Sequence, residues 1–156
     1  MEKTNVERLL SQKKIEYVPH AYSDKDGIDG MTVAGKLGEN PARVFKTLVT
    51  TGKSGAHYVF MVPVCCELDL KKAARAVREK SIEMLKAKEL LPLTGYIHGG
   101  CSPIGMKKAF PTTLHESAVS FPTIFCSGGK IGAQIEVSPE NLKKIVNYAL
   151  ADIVVE

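Results

Sequence analysis

Two apolar runs separated by a short glycine turn constrain the fold of this chain most strongly. Residues 44–50 and 56–64 have the length and the β-branched content of strands, and the segment GKSG at residues 52–55 lies between them. Strands that flank such a turn pair as an antiparallel hairpin. The sequence therefore predicts a β-hairpin built from these two runs.

Candidate helix-capping residues mark where helices should begin in the rest of the chain. Candidate caps are Thr4, whose partner in a capping box is Glu7, and then Thr32, Asn40, Asp69 and Ser138. A further short helical piece is expected near residue 88. The helix after Asp69 should bury Leu70, Ala73, Ala74 and Val77, and the helix after Ser138 should bury Leu142, Ile145, Val146 and Ala149.

Short strands are predicted at residues 14–21, 82–84, 96–98, 113–116, 123–127 and 131–137. The order is neither strict β-α-β alternation nor all-β, because helices are inserted between hairpins. This order favours an α+β (α/β) class with a mixed sheet that can curl into a barrel. A length of 156 residues predicts a single domain over residues 1–156.

Composition narrows the class of protein. Hydrophobic residues make up 44% and charged residues 24% of the chain, and every apolar run is far shorter than the roughly 20 residues of a membrane-spanning helix. The net charge of +4 permits a polyanionic partner without requiring one. Four cysteines without a C-x-x-C pair, and an N-terminus without a signal peptide, predict reduced thiols in a cytoplasmic protein.

Lys46 fits the predicted hairpin least well. Side chains alternate along a strand, so Lys46 shares a face with Val44 and Leu48, and both faces of the run are largely apolar. Burial of an ammonium group is costly unless the group is paired or hydrated. Such lysines occur in clefts that bind anions or polarise carbonyls. The alternative is a side chain that reaches solvent at the sheet edge.

Two glycine-rich segments are candidate parts of a site. The loop GGCSPIG at residues 99–105 can present backbone N–H groups to a carbonyl or phosphate oxygen, although a structural turn explains it equally well. The segment SGGK at residues 127–130 is explained by a hairpin turn alone. The four histidines lack metal-ligand spacing and no nucleotide-binding glycine motif occurs, so no metal or cofactor is expected.

Six stretches together resemble a known family. They are HAY (20–22), LGENPARVFKTLV (37–49), LDLKKAARA (68–76), TGYIHGGCSPIGMKK (94–108), TIFCSGGKIG (123–132) and ADIV (151–154). They occur in order along nearly the whole chain. The chain is similar in these stretches to the YbaK/EbsC family of aminoacyl-tRNA deacylases, relatives of the editing domain of bacterial prolyl-tRNA synthetases.

The resemblance implies a fold and an activity. The fold is a mixed, barrel-like sheet surrounded by helices. The activity is release of an amino acid wrongly esterified to the 3′ end of tRNA, most closely Cys-tRNA(Pro) and Cys-tRNA(Cys), in trans and beside prolyl-tRNA synthetase. In this branch the cysteine thiol of the substrate attacks the ester and a cyclic thiolactone leaves. Neither a membrane nor DNA is an expected partner.

The resemblance also implies roles for residues. The expected catalytic residues are Lys46, Gly99, Gly100 and Ser127. The expected substrate-binding residues are Tyr22, Lys46, Cys101, Ser102, Pro103, Gly128 and Gly129. Lys46 would meet the terminal adenosine phosphate or the developing oxyanion, amides of residues 99–103 would hold the carbonyl, and Tyr22 and Ser127 would orient the substrate.

One departure leaves the amino-acid preference open. The turn reads GGKIG with Ile131, followed by Gln134, so a carboxylate expected near the pocket is missing or displaced. Ala-tRNA(Pro) is therefore an alternative substrate. A non-catalytic tRNA- or synthetase-binding module, which would use basic residues at 71–78 and 107–108, is a second alternative. A hydrolase of small thiols or esters is a third.

Overall fold

The computed structural model describes residues 3–25 and 27–156. Its helices and strands, in chain order, are α1 (Asn5–Gln12), β1 (Val18–Ala21), α2 (Gly30–Leu37), a 3-10 turn (Pro41–Arg43), β2 (Phe45–Gly52), β3 (His57–Pro63), α3 (Leu70–Val77), β4 (Ile82–Met84), α4 (Ala87–Thr94), β5 (Thr112–His115), a second 3-10 turn (Glu116–Ser120), β6 (Ile124–Ser127), β7 (Ala133–Val137), α5 (Pro139–Lys143) and β8 (Ala149–Ala151).

The strands form two linked sheets. One has the order β1-β7-β6 and the other β4-β2-β3-β5-β8. Most pairs are antiparallel, including the predicted β2–β3 hairpin, whereas β5 is parallel to both β3 and β8. A parallel bridge between Val44 and Phe125 joins the sheets. The mixed α+β prediction is therefore confirmed.

The main core lies between the two sheets. Phe45, Met61 and Leu114 from one sheet pack in the same cluster as Ile124 and Ile135 from the other. On the opposite face of β3, the helix α3 packs its two buried alanines against Phe60 and Val62. Leu70, predicted to be buried with those alanines, is 41% exposed. The strand β2 is thus covered on both faces.

Most helix boundaries follow their predicted caps. The capping box of Thr4 and Glu7 is present, and Asp69 and Ser138 accept N-terminal N–H groups of α3 and α5. The prediction for α2 is wrong at its start, because Asp29 accepts the N–H of Thr32 and the helix already begins at Gly30. Its predicted end at Gly38, in the left-handed region, is confirmed.

Three strand or helix predictions are wrong. Residues 96–98 form no strand and lead into a turn at residues 97–100, which the Gly100 N–H closes by donating to the Ile97 carbonyl. The first strand begins at Val18 and not at residue 14. The last helix ends at Lys143, and residues 149–151 form β8 because β5 offers a free edge for parallel pairing.

A search of the described residues for long apolar helices finds none that could cross a membrane.

Candidate functional site

A gap in the pairing of β2 creates the candidate site. One edge of β2 pairs with β3 from Phe45 to Thr51. On the other edge, Val44 bridges Phe125 of β6 and residues 50–52 pair with β4. Within residues 3–25 and 27–156, no strand pairs with residues 46–48 on this edge. A cavity of about 500 Å³ opens at the gap.

The cavity collects five of the predicted site residues. Its wall includes Tyr22, Lys46, Gly99, Cys101 and Ser127. These residues come from β2, from β6, from the end of β1 and from the 99–105 loop, so the fold brings together groups that are as far as 105 positions apart in the sequence. The other predicted residues, Gly100, Ser102, Pro103, Gly128 and Gly129, are absent from the wall.

Lys46 is partly buried on the cavity wall. In a parallel bridge the paired residues share a face, so Lys46, two residues after Val44, lies on the same face as Ser127, two residues after Phe125. No ion pair or hydrogen bond of the Lys46 ammonium group is found among the described residues. Its positive charge is therefore available to an anionic group in the cavity.

Three residues of the cavity wall carry an unpartnered polar atom. In the described part of the chain, four buried side-chain oxygen or nitrogen atoms lack a hydrogen-bond partner, and three of them belong to the cavity residues Tyr22, Thr47 and Gln134. Buried polar atoms are nearly always hydrogen-bonded in folded proteins. Their concentration at one cavity indicates a site that binds a polar ligand.

One side of the cavity is apolar. Phe45, Val49 and Cys101 line it and belong to the main core, together with the partly buried Leu85 and Leu90. Lys46, Ser127 and Gln134 lie on the opposite face of the strands. The cavity thus offers a polar side and a small apolar chamber to one ligand.

Ser127 is 8% exposed, and its hydroxyl accepts the N–H of Gly129 at 3.1 Å. A hydroxyl group that accepts one bond can still donate one. No basic side chain in the described residues is hydrogen-bonded to Ser127, so the structure shows no base that would activate it as a nucleophile. Ser127 is placed to donate to a ligand.

Several hydrogen-bonding groups of the 99–105 loop have partners within the loop region itself. The Gly100 N–H donates to the Ile97 carbonyl at 3.0 Å, and a Cβ at Gly100 would lie 2.9 Å from the Cα of Lys130. Ser102 is fully buried, and its hydroxyl accepts the Ile104 N–H at 3.1 Å. Of the loop residues, Gly99 and Cys101 line the cavity, and Pro103 has no N–H to offer.

The glycines after Ser127 shape the turn. The Gly128 N–H donates to the Ala133 carbonyl at 2.8 Å, and the Gly129 N–H is bonded to Ser127. Both N–H groups are occupied within the chain, and neither residue lines the cavity. The two glycines contribute to the site indirectly, because the turn that they form positions Ser127 and Gln134.

Cys101 and Asp29 are the other reactive groups on the wall. Burial raises the pKa of the Cys101 thiol to about 12, so the thiol is protonated at neutral pH and is a poor nucleophile. Hydrogen bonds from the Thr32 side chain and N–H lower the pKa of Asp29. That carboxylate is ionised, but it is engaged as the cap of α2.

Three further wall residues, Asp29, Thr47 and His98, have no signal in the sequence that marks them as part of a site. Thr47 is adjacent to Lys46 and has the pattern of an ordinary strand residue. Only the gap in pairing brings both faces of β2 to the cavity, and no local pattern signals it. No group of three His, Cys, Asp or Glu side chains suited to a metal ion occurs in the described residues.

Comparisons with known proteins agree on one family. A family model described as an aminoacyl-tRNA editing domain matches residues 31–145. EbsC of Enterococcus faecalis, provisionally named a Cys-tRNA(Pro)/Cys-tRNA(Cys) deacylase, is 45% identical over 97% of this chain and 93% of its own length.

Solved structures share the fold. A protein provisionally described as a trans-editing enzyme for prolyl tRNA synthetase is 25% identical with a TM-score of 0.83, and the match covers 100% of both chains. The hypothetical protein APE2540 is 21% identical with a TM-score of 0.88 over 97% of this chain and 100% of its own.

Proposed function

Because the chain belongs to the aminoacyl-tRNA editing domain family, we propose that it removes cysteine from Cys-tRNA(Pro) and Cys-tRNA(Cys). The E. faecalis relative that bears this activity in its name covers almost the whole chain at 45% identity. The sequence stretches with Lys46, the 99–105 loop and Ser127 support the same assignment.

The observation that carries the proposal is the convergence at the gap in β2. Lys46, whose ammonium group has no partner among the described residues, lines one cavity of about 500 Å³ with three residues that carry an unpartnered polar atom and with several apolar side chains. An aminoacyl-adenosine end combines a phosphate, a hydroxyl-rich ribose, an amino group and a small side chain. The polar side of the cavity suits the nucleotide part, and the apolar chamber suits the side chain.

The chemistry needs no nucleophile from the protein. The cysteine sulfur of the substrate attacks its own ester carbonyl, so a C–S bond forms and the C–O bond to the ribose breaks. The thiol proton ends on the departing ribose oxygen. The products are deacylated tRNA and a cysteine thiolactone, which water then opens. The protein contributes orientation and stabilisation of the oxyanion.

Each site residue has a role in this scheme. Lys46 stabilises the terminal phosphate or the oxyanion by its charge, and Ser127 and Tyr22 donate hydrogen bonds that orient the ester. The amides of Gly99 and Cys101 hold the carbonyl. Gly100, Ser102, Pro103, Gly128 and Gly129 support these positions through packing and turn geometry.

Prolyl-tRNA synthetase is the proposed partner. A chain of 156 residues has little surface with which to read a whole tRNA. The synthetase would select the tRNA, and the misacylated 3′ end would then move to the cavity of this protein. Adding prolyl-tRNA synthetase should then accelerate deacylation of Cys-tRNA(Pro) relative to Cys-tRNA(Cys), and an unchanged ratio would argue against this partnership.

The test is release of labelled amino acid from Cys-tRNA(Pro), Cys-tRNA(Cys) and Ala-tRNA(Pro), with S-methylcysteinyl-tRNA(Pro) as the matched control. We expect release from both cysteinyl substrates and almost none after S-methylation. Release of alanine at a similar rate would contradict thiol-assisted chemistry. Binding of all four substrates without release would favour the non-catalytic module.

A further inference from the structure

The main-chain groups of Thr47 face the cavity without a partner. Peptide groups of successive residues in a strand point to opposite edges. The Val44 carbonyl accepts the Val64 N–H at 2.8 Å on the β3 side, whereas the Val49 carbonyl accepts the Leu85 N–H at 3.1 Å on the other side. Thr47, two residues before Val49, therefore turns its N–H and carbonyl to the gap.

The neighbouring strand supports this alternation. The Val59 N–H donates to the Pro111 carbonyl at 2.9 Å, away from β2, and Met61, which lies opposite Thr47, has the same orientation as Val59. Thr47 therefore forms no backbone hydrogen bond with β3. On the gap side of β2, no strand within residues 3–25 and 27–156 pairs with Thr47.

The side chain of Thr47 adds a third free group. Its hydroxyl oxygen is buried and has no partner among the described residues, and Thr47 lines the cavity. A residue whose main-chain groups lie on an unpaired strand edge beside a cavity, and whose hydroxyl is also unpartnered, is prepared to pair with an extended ligand. Peptide ligands commonly bind to free sheet edges in this way.

We propose that the free edge of β2 at Thr47 binds the amino-acid part of the substrate as if it were one residue of an antiparallel strand. The α-amino group donates to the Thr47 carbonyl, and the ester carbonyl accepts the Thr47 N–H. Directly opposed antiparallel residues exchange two such bonds. This inference rests on the proposed function, because it assumes an aminoacyl ester in the cavity.

The pairing also places the substrate side chain. Side chains of opposed residues point to the same face of a sheet. The cysteine side chain would lie beside the Thr47 hydroxyl in the chamber formed by Phe45, Val49 and Cys101, and the phosphate would remain on the side of Lys46. The Thr47 N–H would then be aimed at the oxygen on which negative charge develops.

Amide hydrogen exchange at Thr47 tests the inference directly. The probe is 3′-deoxy-3′-(L-cysteinylamino)adenosine, in which a less reactive amide replaces the ester. We expect rapid exchange at Thr47 in the free protein, and exchange at least tenfold slower with the probe bound. The Lys46 N–H, already bonded to β3, is the internal control and should be protected in both states.

The outcomes separate this inference from the proposed function. If resonances of Gly99 and Ser127 shift with the probe but Thr47 exchange is unchanged, the pairing is wrong and the cavity assignment stands. A Thr47 amide that is already protected in the free protein would also overturn the pairing. If the probe shifts no cavity resonance, both proposals fail.

Two substitutions at Thr47 give a kinetic test. Thr47→Pro removes the N–H at an edge position where no ladder bond is lost, whereas Thr47→Val keeps the N–H and removes only the hydroxyl. Deacylation should fall at least tenfold further in Thr47→Pro than in Thr47→Val. Equal activity in two folded variants would contradict a role for the N–H, and a misfolded proline variant leaves the decision to the exchange experiment.

Discussion

Val44 lies opposite Phe125 in the parallel bridge that joins the two sheets. This contact fixes where β6 leaves β2, and so it fixes where the unpaired edge begins. Lys46 and Ser127 follow the bridge by two residues each and therefore lie on one face beside the gap. The site is a consequence of how two sheets meet more than of any single motif.

The thiol of Cys101 is expected to be dispensable for chemistry. Burial raises its pKa to about 12, and the proposed nucleophile is the substrate's own sulfur. Cys101→Ser should therefore retain deacylation of Cys-tRNA(Pro) within about tenfold, measured as single-turnover release. A loss of more than about 100-fold in a folded variant, comparable to removal of a catalytic group, would assign the reaction to the protein thiol.

Gly100 and Gly35 should respond in opposite ways to alanine. A Cβ at Gly100 would lie 2.9 Å from the Cα of Lys130, which is main chain and cannot move away easily. We expect Gly100→Ala to lower the free energy of unfolding by roughly 1–3 kcal/mol. Gly35 lies inside α2, and nothing outside the backbone of that helix and the adjacent residues lies within 4 Å of its Cβ position, so Gly35→Ala should raise the free energy of unfolding by about 0.5–1 kcal/mol.

Denaturant titration of both glycine variants checks this pair. Equal effects of the two substitutions would show that the loop does not press against the turn at residues 130–131.

His115 should lower the free energy of unfolding in mild acid. Burial lowers its pKa below 6.5, against the opposing effects of Asp152 and Glu116, and its Nδ1 accepts the Ile153 N–H at 3.3 Å. The folded protein thus binds this proton less readily than the unfolded chain. The contribution of His115 is complete above about pH 6.5 and decreases as the pH falls below that value.

Urea unfolding between pH 7.5 and 5 measures this effect. We expect His115→Gln to flatten the pH dependence, and His98→Gln, at an exposed position, to leave it unchanged. The pKa values of Asp152 and Glu136 are also lowered, but these carboxylates change the stability only below about pH 4.5. Their effect can therefore be separated from that of His115. An unchanged slope in the His115 variant would contradict the assignment.

The sequence predicted the local features of the fold well. Capping at Thr4 and Asp69 and the β2–β3 hairpin depend on neighbouring residues, and the structure confirms them. The strand β8 was missed because parallel pairing with β5 outweighs the helical spacing of Val146 and Ala149. Such pairing joins residues distant in sequence, which a local pattern does not encode.

The site was predictable only in part for the same reason. Lys46 was conspicuous because a charge interrupts an apolar strand. Thr47 was not, because its importance comes from the absence of a partner strand on one edge of β2. Gln134 stands out in the sequence only as a departure from the family pattern, yet it lines the cavity and its side-chain oxygen is unpartnered.

Substitution of Lys46 tests the central claim most directly. Single-turnover deacylation of Cys-tRNA(Pro) should fall by about 100-fold or more in Lys46→Ala, because the charge that stabilises the phosphate or oxyanion is lost. The melting temperature should stay the same or rise, since Lys46 has no partner among the described residues, and Lys80→Ala serves as the control at an exposed lysine. Full deacylation by a folded Lys46→Ala variant would contradict the account.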